Sequence, residues 1–241
     1  MAIRPAVSVV AVCEDLAVTA RQYQARSVKI LHDVSLIEEN QTIQISIRKE
    51  SSIPDNAKVM LYVGNLEGYQ GIDLLLESFQ QIYRQIESLY LVIIGGRDDH
   101  IAKYREIAEE LGIGDRTKFI GPRAVSDLGG YLKDADLLVS PRISGNNTPM
   151  KIYSYLHAGK AIVATELPTH TQVLNSEIAI LAKANPDSFA EAIKYALLDP
   201  NLAYDLGENA RKYALEHFTY ESFARTITDE YARINNILLN S

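Results

Sequence analysis

The stretch "SGNNTPMKIYSYLHAGKAIVATE", Ser144 to Glu166, joins a polar loop rich in Gly and Asn to a helix pattern that begins at Pro149. The helix pattern ends at Gly159, and the apolar run "AIVAT" follows at once. Another apolar run, "DADLLVSP", lies directly before the loop. Two short apolar strands separated by a helix are typical of a parallel sheet, and the polar loop then follows the end of the first strand.

The same alternation of strand and helix recurs from about Ala57 to Leu198. Short apolar runs such as "KVMLYVG" and "LYLVIIGG" are separated by segments whose apolar residues recur at helical spacing. Strands that are apolar throughout indicate a sheet with helices on both faces. We therefore predict an α/β, Rossmann-like doubly wound parallel domain. In its last helix, Asn185 is expected to be the N-cap and Pro186 to lie in the first turn.

The two ends of the chain do not fit inside this unit. "VSVVAVCEDLAVTARQ" predicts one strand, which includes Cys13, and one helix, and "VKILHDVSLI" predicts another strand. The polar stretch "EENQTIQISIRKESSIPDN" that follows is predicted to be a linker. Near the C-terminus, a long helix is expected to pack on residues 6–31 or on a second copy, through a stripe at steps of three and four: Phe223, Ile227, Tyr231, Ile234 and Leu238.

Composition excludes several classes of protein. The 241 residues are 47% hydrophobic, enough for the core of one or two domains, and the formal charge of −7 argues against a general nucleic-acid binder. The single cysteine excludes an intramolecular disulfide framework and fits a reducing compartment. No apolar run approaches the roughly 18 residues of a membrane span, and the short run "AVSVVAVC" fits a strand better than a signal peptide. We expect a cytoplasmic location.

Five segments that follow predicted strands carry Gly or Pro beside side chains able to bond phosphate, sugar or base. They are "GNLEGYQG", "GGRDD", "GPRAV", "SPRISGNNTP" and "ATELPTHTQ". Ligands of open parallel sheets bind outside the carboxyl ends of the strands, so five such loops on one rim predict a ligand site there. Gly64 to Gly71 lacks both the GK[ST] ending and the G-x-G-x-x-G spacing, which removes the main support for a P-loop or a dinucleotide site.

The start of the helix at Thr148 and Pro149 is a candidate anion site. The first N–H groups of a helix have no internal partner and carry partial positive charge, which suits a diphosphate. An ordinary capped helix fits this stretch equally well.

Signatures of acid–base, nucleophilic or metal chemistry are few. No His or Cys pair has the spacing of metal ligands, so neither a metal nor a cofactor is expected. His157 is predicted to be a packing residue, and His170 is expected to face the ligand rim. Asp98 and Asp99 follow a Gly-Gly turn and are predicted to cap a helix.

These loops and strands, taken together, resemble the C-terminal, nucleotide-sugar-binding half of the retaining GT-B glycosyltransferases of family 4, the glycosyl transferases group 1. "LYVGNLEGYQGIDLLLESF" is similar to the family's first strand, loop and helix, and "KFIGPRAVSDLGGYLKDADLLVSP" to its middle section. "NTPMKIYSYLHAGKAIVATELPTHTQVL" is similar to the donor-site helix and the strand after it. The resemblance covers about Lys58 to Asn235.

The resemblance also implies a domain organisation. Residues 1–50 would be a remnant of the N-terminal, acceptor-binding domain plus a linker, and most of that domain would be missing. Residues 51–215 would form the nucleotide-sugar-binding domain. Residues 216–241 would be a C-terminal helix that crosses back toward the N-terminal part.

Four positions depart from the family pattern. The Arg and Lys that clamp the donor diphosphate would fall at Asn65 and Gln70, and the two glutamates of E-x7-E would fall near Asn146 and Ser154. All four residues are neutral here. The cations that could replace the missing charge are Arg97, Arg123, Arg142 and Lys151.

The resemblance places the base against the backbone of Gly121–Arg123 and the phosphates against Asn147–Lys151. No catalytic residue is identified, although Lys151 is a candidate phosphate stabiliser. The expected donor-binding residues are Gly64, Asn65, Gln70, Gly96, Arg97, Gly121, Pro122, Arg123, Arg142, Asn146, Asn147, Thr148, Pro149, Met150, Lys151 and Ser154.

The sequence therefore predicts the donor domain of a glycosyltransferase. It would bind a nucleotide-diphosphate sugar for retaining transfer, with hexosyl transfer expected, to a sugar, lipid or small-molecule acceptor. Catalysis would depend on stabilising the departing diphosphate. The chain alone is expected to be inactive and able to self-associate, and a lipid-linked acceptor would place the protein at the inner membrane face.

Two other interpretations stay open. The four neutral positions also fit a degenerate, non-catalytic nucleotide-sugar-binding or scaffold domain. A GT-B-type sugar-nucleotide epimerase would bind the same class of donor and would need no acceptor.

Overall fold

The computed structural model describes residues 2–37 and 45–239, which form eight strands and ten α-helices. The strands are β1 (Val9–Ala11), β2 (Val28–Ile30), β3 (Lys58–Val63), β4 (Leu89–Ile94), β5 (Thr117–Gly121), β6 (Leu137–Ser140), β7 (Ile162–Thr165) and β8 (Ile180–Ala182). The helices are α1 (Glu14–Gln22), α2 (Ile47–Glu50), α3 (Ile72–Ile82), α4 (Asp98–Glu110), α5 (Leu128–Asp134), α6 (Lys151–Ala158), α7 (Pro168–Thr171), α8 (Pro186–Leu198), α9 (Pro200–His217) and α10 (Tyr220–Leu239).

Six parallel strands form the main sheet, in the order β5-β4-β3-β6-β7-β8. The chain begins this sheet with β3, adds β4 and β5 on one side, and then returns to add β6 on the other side of β3. Both faces of the sheet are buried, because alternate residues of β3 enter different cores. Met60 and Tyr62 pack with α3, α4 and α8, whereas Val59 and Leu61 pack with α5, α6 and α9. The predicted doubly wound α/β fold is confirmed.

One helix cap was predicted from the sequence, and another begins a helix that was not predicted. Asn185 caps α8 by accepting a hydrogen bond from the Ser188 N–H at 2.9 Å, as predicted. Asp199 accepts two such bonds at the start of α9, which the periodicity did not predict. The buried face of α9 has small residues, among them Gly207 and Ala210. A side chain at position 207 would meet the Gly159 carbonyl oxygen at 2.4 Å, so α9 packs unusually close to the end of α6.

Three local predictions were wrong. The helix after the polar loop begins at Lys151 rather than Pro149. Cys13 lies after β1 and is the buried N-cap residue of α1, not part of a strand. The predicted linker contains α2, whose Ile47 is fully buried in the core shared with α5 and α6. Residues 38–44 of that stretch lie outside the described residues.

The C-terminal helix α10 packs on the N-terminal βα unit. The hydroxyl of Ser8 donates to Glu230 Oε1 at 2.5 Å, and Arg233 bonds both Glu230 and the Ser27 hydroxyl. Phe223 lies with residues 30–32 around a small cavity of about 80 Å³. Two members of the predicted apolar stripe, Tyr231 and Leu238, are exposed to solvent. None of the described helices is long and apolar enough to cross a membrane.

The contact of Glu230 with Arg233 and Ser8 predicts a pH-dependent contribution to stability. The hydrogen bonds from Arg233 and then Ser8 lower the pKa of Glu230 to about 2. Glu230→Gln is expected to lower the free energy of unfolding by about 1 kcal/mol at pH 7. The native carboxylate is stabilised above its unfolded pKa near 4.5 and loses that advantage as the pH falls toward 2.

Urea unfolding at a series of pH values would measure this difference between Glu230→Gln and the wild type. Asp229→Asn, a change at the exposed neighbouring residue, is the matched control and is expected to have little effect. Equal losses in the two variants would contradict the role of Glu230.

Candidate functional site

A cavity of about 400 Å³ opens at the carboxyl ends of β3 and β6. These two neighbours are where the strand order reverses, and ligands of open α/β sheets bind at such a switch point. The volume lies within the usual range for small-molecule sites. Its lining includes ten of the sixteen sequence-predicted site residues: Gly64, Asn65, Gln70, Arg123, Arg142, Asn147, Pro149, Met150, Lys151 and Ser154.

Two glycines allow the loop after β3 to approach the elements on the other side of the cavity. At Gly71, with φ of +74°, a side chain would lie 2.1 Å from the Pro141 carbonyl oxygen. At Gly64, a side chain would lie 2.9 Å from Lys151 Nζ. The path of the loop after β3 therefore depends on the absence of a side chain at both positions.

Lys151 is a cation without a carboxylate partner among the described residues. It begins α6, and its Nζ lies 3.9 Å from the centre of the Tyr62 ring and 3.2 Å from Gln70 Oε1. Removal from water, with a smaller contribution from the charge of Arg142, lowers the pKa of Lys151 well below its usual value. In the part of the chain that the structure describes, the ammonium is thus stabilised by ring and amide contacts and has no negatively charged partner.

Arg142 is a second cation of the same kind, and it also orders the polar loop. Its Nε donates to the Ser144 carbonyl at 2.8 Å, and its two terminal nitrogens donate to the carbonyl and the side-chain oxygen of Asn147. A side chain at Gly145 would lie 2.4 Å from the guanidinium. Only 7% of Arg142 is exposed, and burial lowers its pKa. The ion pairs of the described residues include neither Arg142 nor Lys151.

The other two candidate cations are neutralised by carboxylates. Arg123 pairs with Glu50 of α2 and also bonds the Tyr131 hydroxyl, which itself donates to Glu50 at 2.8 Å. Arg97 is exposed and pairs with Asp99 and Glu67. Of the four cations that were expected to replace the missing charge, Arg142 and Lys151 are therefore the two that are not paired with a described carboxylate.

The start of α6 offers fewer main-chain donors than the sequence suggested. The N–H groups of Ile152 and Tyr153 already bond to the carbonyls of Pro149 and Met150, at 3.0 and 3.2 Å. Thr148 is buried and is not among the described residues that line the cavity. Binding of an anion by these amides stays a prediction, and the side chains of Lys151 and Arg142 carry more of the available positive charge.

Two of the neutral residues that depart from the family pattern, Ser154 and Asn65, form hydrogen bonds within the protein. Ser154, one turn after Lys151, is buried, and its Oγ accepts the Leu36 N–H at 3.1 Å. Asn65 accepts from the Glu67 N–H and donates to the Tyr69 hydroxyl, both at 3.3 Å.

Six predicted site residues lie outside the cavity lining: Gly96, Arg97, Gly121, Pro122, Asn146 and Thr148. Gly96 packs beneath Leu66, where a side chain would approach a methyl carbon to 2.6 Å. The Asn146 carbonyl accepts hydrogen bonds from Gln172 and Cys13, which ties the loop to α1 and α7.

His170 does not face the ligand rim, contrary to the prediction. It is fully buried, with one ring nitrogen 2.9 Å from the Ser140 hydroxyl and the other 3.0 Å from the Thr165 hydroxyl. Burial lowers its pKa to about 4, so the ring is neutral near pH 7. It is an internal hydrogen-bonding group that joins α7 to β6 and β7.

Sequence reasoning missed Leu36, Tyr62, Tyr69 and Tyr131. Tyr62 lies within an apolar strand, and Leu36 is distant in the chain, so neither gave a signal. Tyr69 could have been predicted to line the site, because it lies next to Gln70 in a polar loop that follows a strand.

Comparisons with known proteins agree on one family. The family model described as "Glycosyl transferases group 1" matches residues 43–213. The D-inositol 3-phosphate glycosyltransferase of Corynebacterium glutamicum is 26% identical over 199 residues, which cover 80% of this chain and 47% of that protein. The putative glycosyltransferase YtcC of Bacillus subtilis is 29% identical over 205 residues, with coverage of 80% and 49%. The chain spans about half the length of these curated relatives.

A solved structure shows the same fold. Anabaena Alr3699/HepE, crystallised in complex with UDP-glucose, superposes with a TM-score of 0.83 at 17% identity, covering 95% of this chain and 64% of that one.

The isolation of Lys151 from carboxylates predicts an effect on stability. Lys151→Met keeps an unbranched side chain that is one atom shorter and removes the uncompensated charge, so it is expected to raise the free energy of unfolding by about 1 kcal/mol at pH 7. Because the pKa of Lys151 is lower in the folded state, the unfolded state binds more protons. The free energy of unfolding of the wild type therefore rises as the pH rises toward the unfolded-state pKa near 10.5. The advantage of the variant should therefore shrink as the pH rises.

Lys160→Met, just beyond the end of α6, is the matched control, and urea unfolding at several pH values is the measurement. A Lys151→Met protein that is less stable than the wild type at every pH would mean that the contacts of Lys151 in the wild type fully compensate its ammonium.

Proposed function

The chain belongs to the glycosyl transferases group 1, and we propose that it is the donor-binding part of a glycosyltransferase of family 4, serving retaining transfer of a hexosyl group from a nucleotide-diphosphate sugar. The observation that carries this proposal is the pair of cations without carboxylates, Lys151 and Arg142, that line the cavity at the switch point. A diphosphate is the group of such a donor that matches two convergent positive charges.

The proposed mechanism depends on the leaving group. As the bond between sugar and diphosphate breaks, negative charge grows on the departing phosphate oxygens. The bound anion favours the protonated form of Lys151, and the resulting ammonium would stabilise the charge on the phosphate oxygens. Arg142 would hold the loop of residues 144–147 in place and retains N–H donors beyond those that bond the loop.

The base would lie against the loop after β5, where Arg123 and Tyr131 line the cavity. UDP is the first nucleotide to test, because the Anabaena protein was crystallised with UDP-glucose. The acceptor, a sugar, lipid or small molecule, would bind through a further domain, so that this chain alone binds donor without transferring it. We place the protein in the cytoplasm, at the inner membrane face where its acceptor is lipid-linked.

Nucleotide binding tests the proposal directly. Isothermal titration of the folded chain with UDP, GDP and ADP is expected to give saturable heat with at least one of them. Lys151→Met is expected to weaken that binding about tenfold or more, because a charge-assisted hydrogen bond to phosphate is lost. Arg97→Ala is the matched control, since the charge of Arg97 is already neutralised by Asp99 and Glu67.

The absence of heat with all three nucleotides, in a sample shown to be folded, would count against the proposal. Equal weakening by Lys151→Met and Arg97→Ala would show that binding responds to overall charge rather than to the cavity.

We also propose that donor binding needs neither a metal nor a cofactor, because Lys151 and Arg142 supply the positive charge. EDTA is expected to leave the dissociation constant of the nucleotide unchanged, within about twofold. A large loss of affinity that Mg²⁺ restores would instead place a cation between the phosphates and the protein.

A non-catalytic nucleotide-sugar-binding domain is the second candidate, favoured by the neutral residues Asn65, Gln70, Asn146 and Ser154. The two functions differ in one measurement on a full-length protein that contains this chain. Transfer of sugar that is lost in Lys151→Met supports the enzyme, whereas donor binding without any transfer supports the second candidate.

A further inference from the structure

The polar loop that begins at Arg142 is held by two buried hydroxyl groups. Thr165, the last residue of β7, donates its hydroxyl proton to the Arg142 carbonyl at 2.5 Å. Thr169 of α7 donates to the Asn147 carbonyl at 2.7 Å. Both threonines are fully buried. The loop is thus held at both ends of the contact between the Arg142 guanidinium and Asn147.

The two ring nitrogens of His170 have different neighbours, which fixes the position of its proton. Nδ1 is 2.9 Å from the Thr165 carbonyl oxygen and 3.0 Å from the Thr165 hydroxyl oxygen, and Nε2 is 2.9 Å from Ser140 Oγ. A carbonyl can only accept, and the single hydroxyl proton of Thr165 is already donated to Arg142. The proton of the neutral ring therefore lies on Nδ1, and Nε2 accepts from the Ser140 hydroxyl.

His170 is neutral near pH 7 and so carries one ring proton. Burial, with smaller contributions from the charges of Lys151 and Arg142, lowers the pKa of His170 to about 4. The hydrogen bonds then run in one direction, with the Ser140 hydroxyl as the first donor and the Arg142 carbonyl as the last acceptor. A buried network in which the polar groups are paired holds its side chains in one arrangement.

A hydrogen-bond acceptor in the place of Nδ1 would disturb this arrangement. It would compete with the Arg142 carbonyl for the one proton of the Thr165 hydroxyl. Arg142 would then lose the bond that fixes the backbone from which its guanidinium extends. The Nδ1–H group therefore affects the cavity, although His170 is not among the described residues that line it.

We propose that His170 and Thr165 are positioning residues of the nucleotide site: the Nδ1–H group of His170 keeps the Thr165 hydroxyl on the Arg142 carbonyl, and this places the Arg142 guanidinium for a nucleoside diphosphate. Both residues act through Arg142, and neither touches the nucleotide. This inference rests on the proposed function, since it assumes that Arg142 contacts the diphosphate. A histidine that served the core alone would affect stability without affecting nucleotide affinity through Arg142.

Two variants of His170 that each replace one ring nitrogen test this step. The amide N–H of His170→Asn takes the place of Nδ1–H, whereas the amide of His170→Gln reaches the place of Nε2 and leaves Thr165 without its donor. Binding of UDP, or of GDP or ADP where UDP gives no heat, is measured by isothermal titration on samples shown to be folded. We expect His170→Asn to bind within about threefold of the wild type, and His170→Gln to bind about fivefold or more weakly, as for the loss of one hydrogen bond.

The same His170→Gln change in an Arg142→Ala background separates positioning from a general effect on the core. The additional loss of affinity is expected to be less than about twofold there, because the residue through which His170 acts has been removed. A loss of the same size in both backgrounds would overturn the inference. Unchanged affinity in His170→Gln alone would also overturn it and leave the proposed function standing, whereas a folded wild type that binds none of the three nucleotides would overturn both.

Thr165→Ser and Thr165→Val repeat the comparison at the next residue, so the test does not depend on the folding of one variant. Serine keeps the hydroxyl and is expected to bind within about threefold of the wild type. Valine has the shape of threonine without the hydroxyl and is expected to bind about fivefold or more weakly. Equal affinities of the two variants would contradict the role of the hydroxyl.

The tautomer of His170 can be measured in the wild-type chain without any nucleotide. Nitrogen-15 NMR of the imidazole groups distinguishes the two neutral tautomers, and the signals of His170 are those that His170→Asn lacks. We expect the Nδ1–H tautomer at pH 7. The Nε2–H tautomer would overturn the inference, because Nδ1 would then have no proton for Thr165.

Discussion

The position of β3 at the centre of the sheet is the constraint on which the site depends. Because the chain adds strands first on one side of β3 and then on the other, the loops after β3 and β6 lie side by side with no helix between them. Gly71 brings the first loop within van der Waals distance of Pro141, and Gly64 leaves room for the end of Lys151. The cavity is thus a consequence of strand order and of two residues that lack side chains.

The charge inside this cavity is costly for the protein alone. An ammonium removed from water needs a compensating partner, and among the described residues Lys151 has the face of Tyr62 and the amide of Gln70. Arg142 is compensated by backbone carbonyls, which also fix the polar loop. Arg142 is buried and Lys151 is half-buried, whereas Arg48, elsewhere in the fold, has Asp134 and Asp136 beside it.

The sequence predicted the fold well and the site only in part, for physical reasons that differ. Apolar runs separated by helical periodicity are local signals, so β3 to β8 could be predicted. Helix α9 was not predicted because its buried face has small residues such as Gly207, which give little hydrophobic periodicity. The pairing of Arg123 with Glu50 joins residues 73 positions apart, and no local pattern distinguishes it from an unpaired arginine.

The neutral residues that depart from the family pattern are consistent with one another once Lys151 is in place. A lysine at position 70 would put a second cation where Gln70 Oε1 now accepts a hydrogen bond from Lys151 Nζ at 3.2 Å. A glutamate at position 154 would lie one turn from Lys151 on the same face of α6 and could pair with it, which would remove the charge offered to a phosphate. The neutral residue at 70 thus gives Lys151 a hydrogen-bond acceptor, and the neutral residue at 154 leaves the charge of Lys151 unpaired on α6. The cavity therefore keeps positive charge on Lys151 and Arg142, although Asn65 and Gln70 are neutral.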